Sequence, residues 1–256
     1  MNPRPLANIS ILLVEDNEMN TLLASAIIQG TGAKVTEADN GMDAVQLLRN
    51  RPFDLVLMDL HLPVMDGFET TRYIRKNLSQ TIPIIAITAN VVNGEEEKCL
   101  EAGMNGFISK PYTEKDLLDK ISTCIPFKNG MAEKFVPATA NPDAALYSLS
   151  FLKDVSKGNR DILQQMILVF TEQVSLAVNE LKIAYNSHSY GEMYAIAHRI
   201  KPDIDNLNIT SLKDNIREIE VFAEQKKDGP LLKNLIVNLD NTIQQVVKEL
   251  KVNVLL

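Results

Sequence analysis

The residues of this sequence best suited to chemistry stand at the ends of short apolar runs. Glu15 and Asp16 follow Ile11-Leu12-Leu13-Val14, and Asp59 follows Leu55-Val56-Leu57-Met58. Thr88 follows Ile84-Ile85-Ala86-Ile87, and Lys110 follows Phe107-Ile108-Ser109. Three carboxylates, a hydroxyl and an ammonium together suit the joint handling of a hard cation and a phosphoryl group. Asp16 and Asp59 supply hard oxygen ligands, and Glu15 stands close enough to act through a water. Mg2+ binds in this way, through one or two carboxylates, phosphate oxygens and retained waters. Asp59 is then the candidate nucleophile, forming an acyl phosphate. Thr88 can donate a hydrogen bond to one phosphoryl oxygen, and Lys110 can set its ammonium against another. Phosphoryl transfer asks for little beyond such positioning and charge stabilisation.

For these side chains to meet, the runs that precede them must be neighbouring strands. Strands are predicted at 9–14, 34–37, 54–58, 82–87 and 106–109. Amphipathic helices are predicted at 18–29, 41–50, 68–76, 95–102 and 113–125, the last with Thr113 as its N-cap. Five strand–helix units with strands of buried character predict a parallel sheet covered on both faces. Open parallel sheets carry their sites at the carboxyl ends of the strands, which is where all five residues fall.

The alternation stops near residue 126. Residues 127–144 contain Gly130, Pro137 and Pro142 and read as a linker. Beyond it the apolar period is helical throughout. Successive stripes are Leu163, Met166, Ile167, Phe170, Val174; Met193, Ile196, Ala197, Ile200, Ile204; Leu212, Ile216, Ile219, Ala223; and Leu232, Leu235, Ile236, Leu239, Ile243. Short polar turns at 186–189 and 227–230 join them, which predicts an all-α four-helix bundle over 145–256. His198 lies in the second helical segment, roughly 150° from the centre of its apolar stripe, and is expected to face solvent. Tyr194, Lys201 and Asp205 are expected on the adjoining surface. A neutral imidazole accepts phosphoryl groups at pH 7, and Lys201 could offset phosphate charge. Taken alone, His198 fits an ordinary surface histidine better than a phosphoacceptor.

Val14-Glu15-Asp16-Asn17, the run from Leu57 to Gly67 around Asp59, Ile87-Thr88-Ala89 and Ser109-Lys110-Pro111 resemble the motifs of response-regulator receiver domains. The resemblance covers about residues 8–125. It implies a doubly wound, flavodoxin-like α/β receiver over 1–126, with Asp59 as phosphoacceptor. Asp16, Asp59 and the His61 backbone carbonyl would hold Mg2+, with Glu15 behind them, and Thr88 and Lys110 would read the phosphoryl group. Thr88 and Phe107 would form the conformational switch, with Phe in place of a hydroxyl-bearing aromatic. The Lys110–Pro111 peptide would be cis, which proline allows at small cost. Ala197-His198-Arg199-Ile200-Lys201 is similar to the His-x-(Leu/Ile)-Lys signature of histidine-phosphotransfer domains. That implies His198 as a second phosphoacceptor, assisted by Lys201. Pro202 and Asp203 depart from that family, which often has Gly and a small hydroxyl residue there. Pro202 also removes the N–H that would bond the His198 carbonyl, so a local kink is expected. The resemblances together imply a phosphorelay protein of a two-component system, a phosphotransfer protein without an ATP-binding kinase core. Its partners would be a sensor histidine kinase and a downstream response regulator. The chain reads either as the C-terminal piece of a hybrid sensor kinase or as a free relay intermediate.

Composition is consistent with this. The chain has 256 residues, 45% hydrophobic and 23% charged, with a net charge of −7. Residues 1–125 carry 11 Lys and Arg against 17 Asp and Glu, a net −6, and the remainder is −1. Neither half is basic, which argues against nucleic acid. No apolar run approaches the ~20 residues of a membrane span, and a cytoplasmic location is expected. Cys99 and Cys124, without CxxC spacing, read as reduced structural thiols. Two rival readings carry less. An aspartyl-phosphate phosphatase of the haloacid dehalogenase type needs an Asp where His61 stands. A non-phosphorylated interaction module would not need all five pocket side chains.

Overall fold

The computed structural model describes residues 5–88, 95–125 and 146–255, and the chain divides into two compact units, Met1–Ala138 and Thr139–Leu256. The linker read at 127–144 lies outside the described residues, so the limits 1–126 and 145–256 stand as readings of the sequence.

The first unit runs β1 (Ser10–Val14), α1 (Glu18–Gly30), β2 (Lys34–Ala38), α2 (Gly41–Asn50), β3 (Leu55–Asp59), α3 (Gly67–Asn77), β4 (Ile84–Thr88), α4 (Glu95–Ala102), β5 (Gly106–Ser109) and α5 (Glu114–Cys124). The strands form one parallel sheet in the order β2-β1-β3-β4-β5. Strands β3 and β4 are buried throughout and β1 after its first residue, while the edge strands β2 and β5 are only partly buried. That division explains their composition: a central strand covered on both faces must be apolar along its length. Leu12, Val14, Val56, Met58, Ile84 and Ala86 pack in one core cluster with Ala44, Val45 and Ile74 of α2 and α3. The strand residues of opposite parity point to the other face and are equally buried. Side-chain caps start the helices. Asn17, Asn40 and Asp66 each accept a backbone N–H of the first turn, and Thr113 forms a capping box with Asp116.

The second unit contains α6 (Ser150–Ser156), α7 (Arg160–Asn186), α8 (Tyr190–Asn206), α9 (Thr210–Glu224) and α10 (Pro230–Leu250), closed by a π-helical turn at Lys251–Leu255. Helices α7 to α10 pack in a ring, each against its neighbours in sequence and α10 back against α7, while α6 lies on α7. The buried stripes are those of the apolar period: Met166, Phe170, Val174 and Leu181 on α7, and Met193, Ala197, Ile200 and Ile204 on α8. Helix α8 is continuous through Pro202, so the proline does not end it. No described helix is long and apolar enough to cross a membrane.

Candidate functional site

The sheet order reverses between β1 and β3, and at such a point the loops leaving adjacent strands part to opposite sides and open a crevice. The register places the residues there. Val14 is opposite Met58, so Glu15 emerges beside Asp59 where the two strands end. Glu15 still bonds the Ala38 carbonyl through its N–H at 3.0 Å, and its Oε1 accepts Asn20 Nδ2 from the first turn of α1 at 2.9 Å. Asp59 Oδ1 accepts the His61 backbone N–H at 3.0 Å. The Lys110 ammonium lies 2.5 Å from Asp59 Oδ2 and 2.5 Å from Glu15 Oε2. Lys110 is itself held by its N–H on the Thr88 carbonyl, 2.7 Å. The Lys110–Pro111 peptide is cis. Asp16 is exposed, and Glu15, Asp16 and Asp59 each offer an oxygen within 4.8 Å of the others.

The loop from Leu60 to Asp66 is held closely against this site. Gly67 donates its N–H to the Leu60 carbonyl at 3.0 Å, and a Cβ there would stand 2.2 Å from the Asp59 carbonyl oxygen. Only glycine lets the start of α3 come so near. In the same loop Val64 is 84% exposed and adopts φ +68°, a strained conformation for a β-branched residue.

Electrostatics in the pocket are unequal. Glu15 and Asp59 are 3% and 7% exposed, and one ammonium cannot balance two buried carboxylates. Burial pushes Glu15 up to about 8, against the pull of Lys110 and with the help of the Asp59 charge. Asp59 goes the other way. Burial would raise it, but Lys110 and the His61 N–H outweigh that and hold it below the usual carboxylate range. Burial alone would lower Lys110, yet Asp59 and Glu15 hold it raised. At neutral pH without a cation, the arrangement is therefore an Asp59 carboxylate paired with Lys110, beside a Glu15 that retains its proton.

Thr88 is buried at the end of β4, one residue past Ile87, the register partner of Asp59. Phe107 on β5 is partly buried against the core, with the Lys120 ammonium 5.4 Å from its ring centre. The His61 side chain is exposed. Asn20, which reaches Glu15, carries no sequence signal beyond its place one turn past the cap Asn17.

In the second unit the sequence-based picture needs correction. His198 does not stand out in solvent: its side chain is 20% exposed, and Nδ1 lies 2.5 Å from Glu220 Oε1 on α9. The Tyr194 ring stacks on the imidazole, 6.0 Å between centres at 16°. Lys201 is not a surface cation either. Its side chain is 7% exposed and its ammonium lies 2.9 Å from Glu220 Oε2. Helix α8 is flanked by both α7 and α9, so a wider arc is covered than the apolar stripe alone indicates. Glu220, a glutamate among many on a mixed helix surface, carries no sequence signal. Asp205 pairs with Arg217 at 3.1 Å, and Asp203 is buried.

Residues 11–122 match the response regulator receiver domain family. Over 95% of its length the chain is 26% identical to the sensor histidine kinase GacS of Pseudomonas protegens, and over 93% it is 28% identical to the signal transduction histidine-protein kinase BarA of Escherichia coli K12. It spans only 27% of the length of each of these relatives. A solved structure of the receiver domain of sensor histidine kinase PA1611 from Pseudomonas aeruginosa, with a magnesium ion coordinated in the active site cleft, is 39% identical. It covers 46% of this chain and 98% of that one, with a TM-score of 0.44.

Proposed function

With residues 11–122 a response regulator receiver domain followed by a C-terminal helical region, we propose that the chain carries phosphoryl groups in a two-component phosphorelay, on Asp59 of the first unit and His198 of the second. The observation that carries the proposal is the convergence of Glu15, Asp16, Asp59 and Lys110 at the β1–β3 crevice. The Asp16 and Asp59 carboxylates against one ammonium leave a surplus of negative charge that fits a divalent cation. Asp16 and Asp59 would hold Mg2+ together with the His61 carbonyl, and Glu15 would stand behind them. When bound, the ion neutralises the charge of an incoming phosphoryl group.

The chain's own residues do the rest. Asp59 is ionised and oriented by the His61 N–H and Lys110, so one of its oxygens can attack the phosphorus of a phosphohistidine donor. The new O–P bond forms as the donor's N–P bond breaks, and the donor imidazole keeps the electron pair. Lys110 transfers its ammonium from the carboxylates to the phosphoryl oxygens, and the Thr88 hydroxyl donates to another oxygen. Withdrawal of Thr88 toward the phosphoryl group gives Phe107 room to turn inward, which makes this pair the switch. The donor and acceptor partners are a sensor histidine kinase and a downstream response regulator. Support for that context comes from the extent of similarity to GacS and BarA, of which this chain spans about a quarter. For His198, support comes from the motif around it and from a ring that is held in place yet keeps 20% of its side chain exposed.

Incubation with acetyl phosphate and Mg2+, followed by peptide mapping, tests the Asp59 assignment. Label on Asp59 that disappears in Asp16→Asn, with the fold intact, is expected. Undiminished labelling of Asp16→Asn at low Mg2+ would remove Asp16 from the site.

A further inference from the structure

We propose that Glu220 is the positioning residue for His198: it holds the proton on Nδ1 and so assigns Nε2 to take the phosphoryl group. This rests on the reading of His198 as a phosphoacceptor.

The geometry is a chain of three groups on two helices. Glu220 Oε1 lies 2.5 Å from His198 Nδ1 and 3.2 Å from Lys201 Nζ, and its Oε2 lies 2.9 Å from the same Nζ. Burial acts to raise the Glu220 carboxyl, but the bonds from His198 and Lys201 outweigh it and hold it below the usual range. A carboxylate has no proton to give and only accepts. The imidazole nitrogen facing it must therefore carry the hydrogen, and the tautomer of a histidine is set by the bond its other nitrogen makes. With Nδ1 engaged, the lone pair is on Nε2. Tyr194, stacked one turn away, limits rotation of the ring. Lys201 acquires a role different from that of a phosphate clamp: its ammonium keeps Glu220 ionised and in place.

The transfer balances with this assignment. The Nε2 lone pair forms the N–P bond while the P–O bond of an aspartyl phosphate breaks, and the aspartate leaves as a carboxylate. The ring is left as an N-phosphoryl imidazolium with its proton on Nδ1, where the Glu220 charge opposes the developing positive charge. This is the orienting arrangement of an acid behind an imidazole that enzymes use to activate nucleophiles.

Glu220→Gln provides a sharp test because the amide is nearly the same shape. Lys201 has only donors, so it takes the amide oxygen and turns the NH2 toward His198. That reverses the tautomer. In the 15N-labelled full chain, two-bond proton–nitrogen spectra of His198 are expected to show Nδ1–H in the wild type and Nε2–H in Glu220→Gln. Phosphorylation of His198 by phosphoramidate is expected on Nε2 in the wild type and at least tenfold slower in the variant, with Glu220→Asp recovering part of the rate. Nε2–H in the wild type, an unchanged tautomer in Glu220→Gln, or phosphate on Nδ1 would overturn the proposal. Nδ1–H in a wild-type protein whose His198 takes no phosphate would instead overturn the phosphoacceptor reading, leaving the tautomer assignment in place.

Discussion

Replacing Gly67 by alanine should damage the first unit out of proportion to the single methyl group it adds. The new Cβ would stand 2.2 Å from the Asp59 carbonyl oxygen and 2.9 Å from Leu60 Cα. Both are backbone atoms and cannot rotate away as a flexible side chain could. An ordinary contact requires a shift of more than about 1 Å in either β3 or the start of α3, and overpacking of this kind costs about 1–3 kcal/mol. The same shift stretches the bond from the Gly67 N–H to the Leu60 carbonyl, worth about 1 kcal/mol. The higher helix propensity of alanine returns up to about 1 kcal/mol. The net expected loss is about 1–3 kcal/mol, read as a lower urea midpoint of the first unit at unchanged slope. Because Asp59 itself is displaced, its labelling by acetyl phosphate should fall by about a hundredfold. Gly191 is the control: its Cβ would meet nothing within 4 Å, so Gly191→Ala in the first turn of α8 should be neutral or gain up to about 1 kcal/mol. A loss below about 1 kcal/mol for Gly67→Ala, or an equal loss for both, would refute the steric reasoning.

Other outcomes rest on the same geometry. In cation-free buffer Glu15 keeps its proton up to about pH 8, whereas the unfolded chain releases it near 4.5. The folded state thus binds more protons between those values, and stability contributed by this group is lost as pH rises. Glu15→Gln should therefore gain on the wild type between pH 6 and 8, by at most about 1.4 kcal/mol per pH unit, and a pH-independent difference in urea midpoints would contradict this. Thr113→Ala removes the capping box of α5 and should cost about 1 kcal/mol, measured by the same denaturation. Pro202→Ala restores a backbone donor within the continuous helix α8 and should raise the thermal midpoint of the second unit, by about 1–3 kcal/mol equivalent; a fall would mean that packing of the half-buried ring dominates.

The sheet and its pocket were largely legible because four of the five strands, β1, β3, β4 and β5, end at or one residue before a residue that faces the crevice. A parallel sheet turns sequence position into spatial position, so the residue that closes each apolar run also marks the site. The limits of α2, α4 and β5 agree with the apolar and glycine signals at 41–50, 95–102 and 106–109. The bundle was legible only in its core. An apolar stripe tells which residues face inward, but not which neighbouring helix covers the flanks. Hence His198 and Lys201, expected on an open surface, are half-buried and buried against Glu220. That pairing joins residues 19 and 22 positions apart across α8 and α9, and polar contacts between helices leave no period in the sequence. Asn20 was missed for a related reason: its side chain reaches back to Glu15 from a turn that reads as simple helix.

Transfer between the two acceptors is the most direct test of the relay. The full chain is phosphorylated with radiolabelled acetyl phosphate and Mg2+, and sampled over time for acid-stable phosphoaspartate and alkali-stable phosphohistidine. Label is expected first on Asp59 and then on His198, with no histidine label in Asp59→Asn and retention on Asp59 in His198→Gln. Label that stays on Asp59 in the wild type, or reaches His198 equally well in Asp59→Asn, would contradict a relay between these two residues.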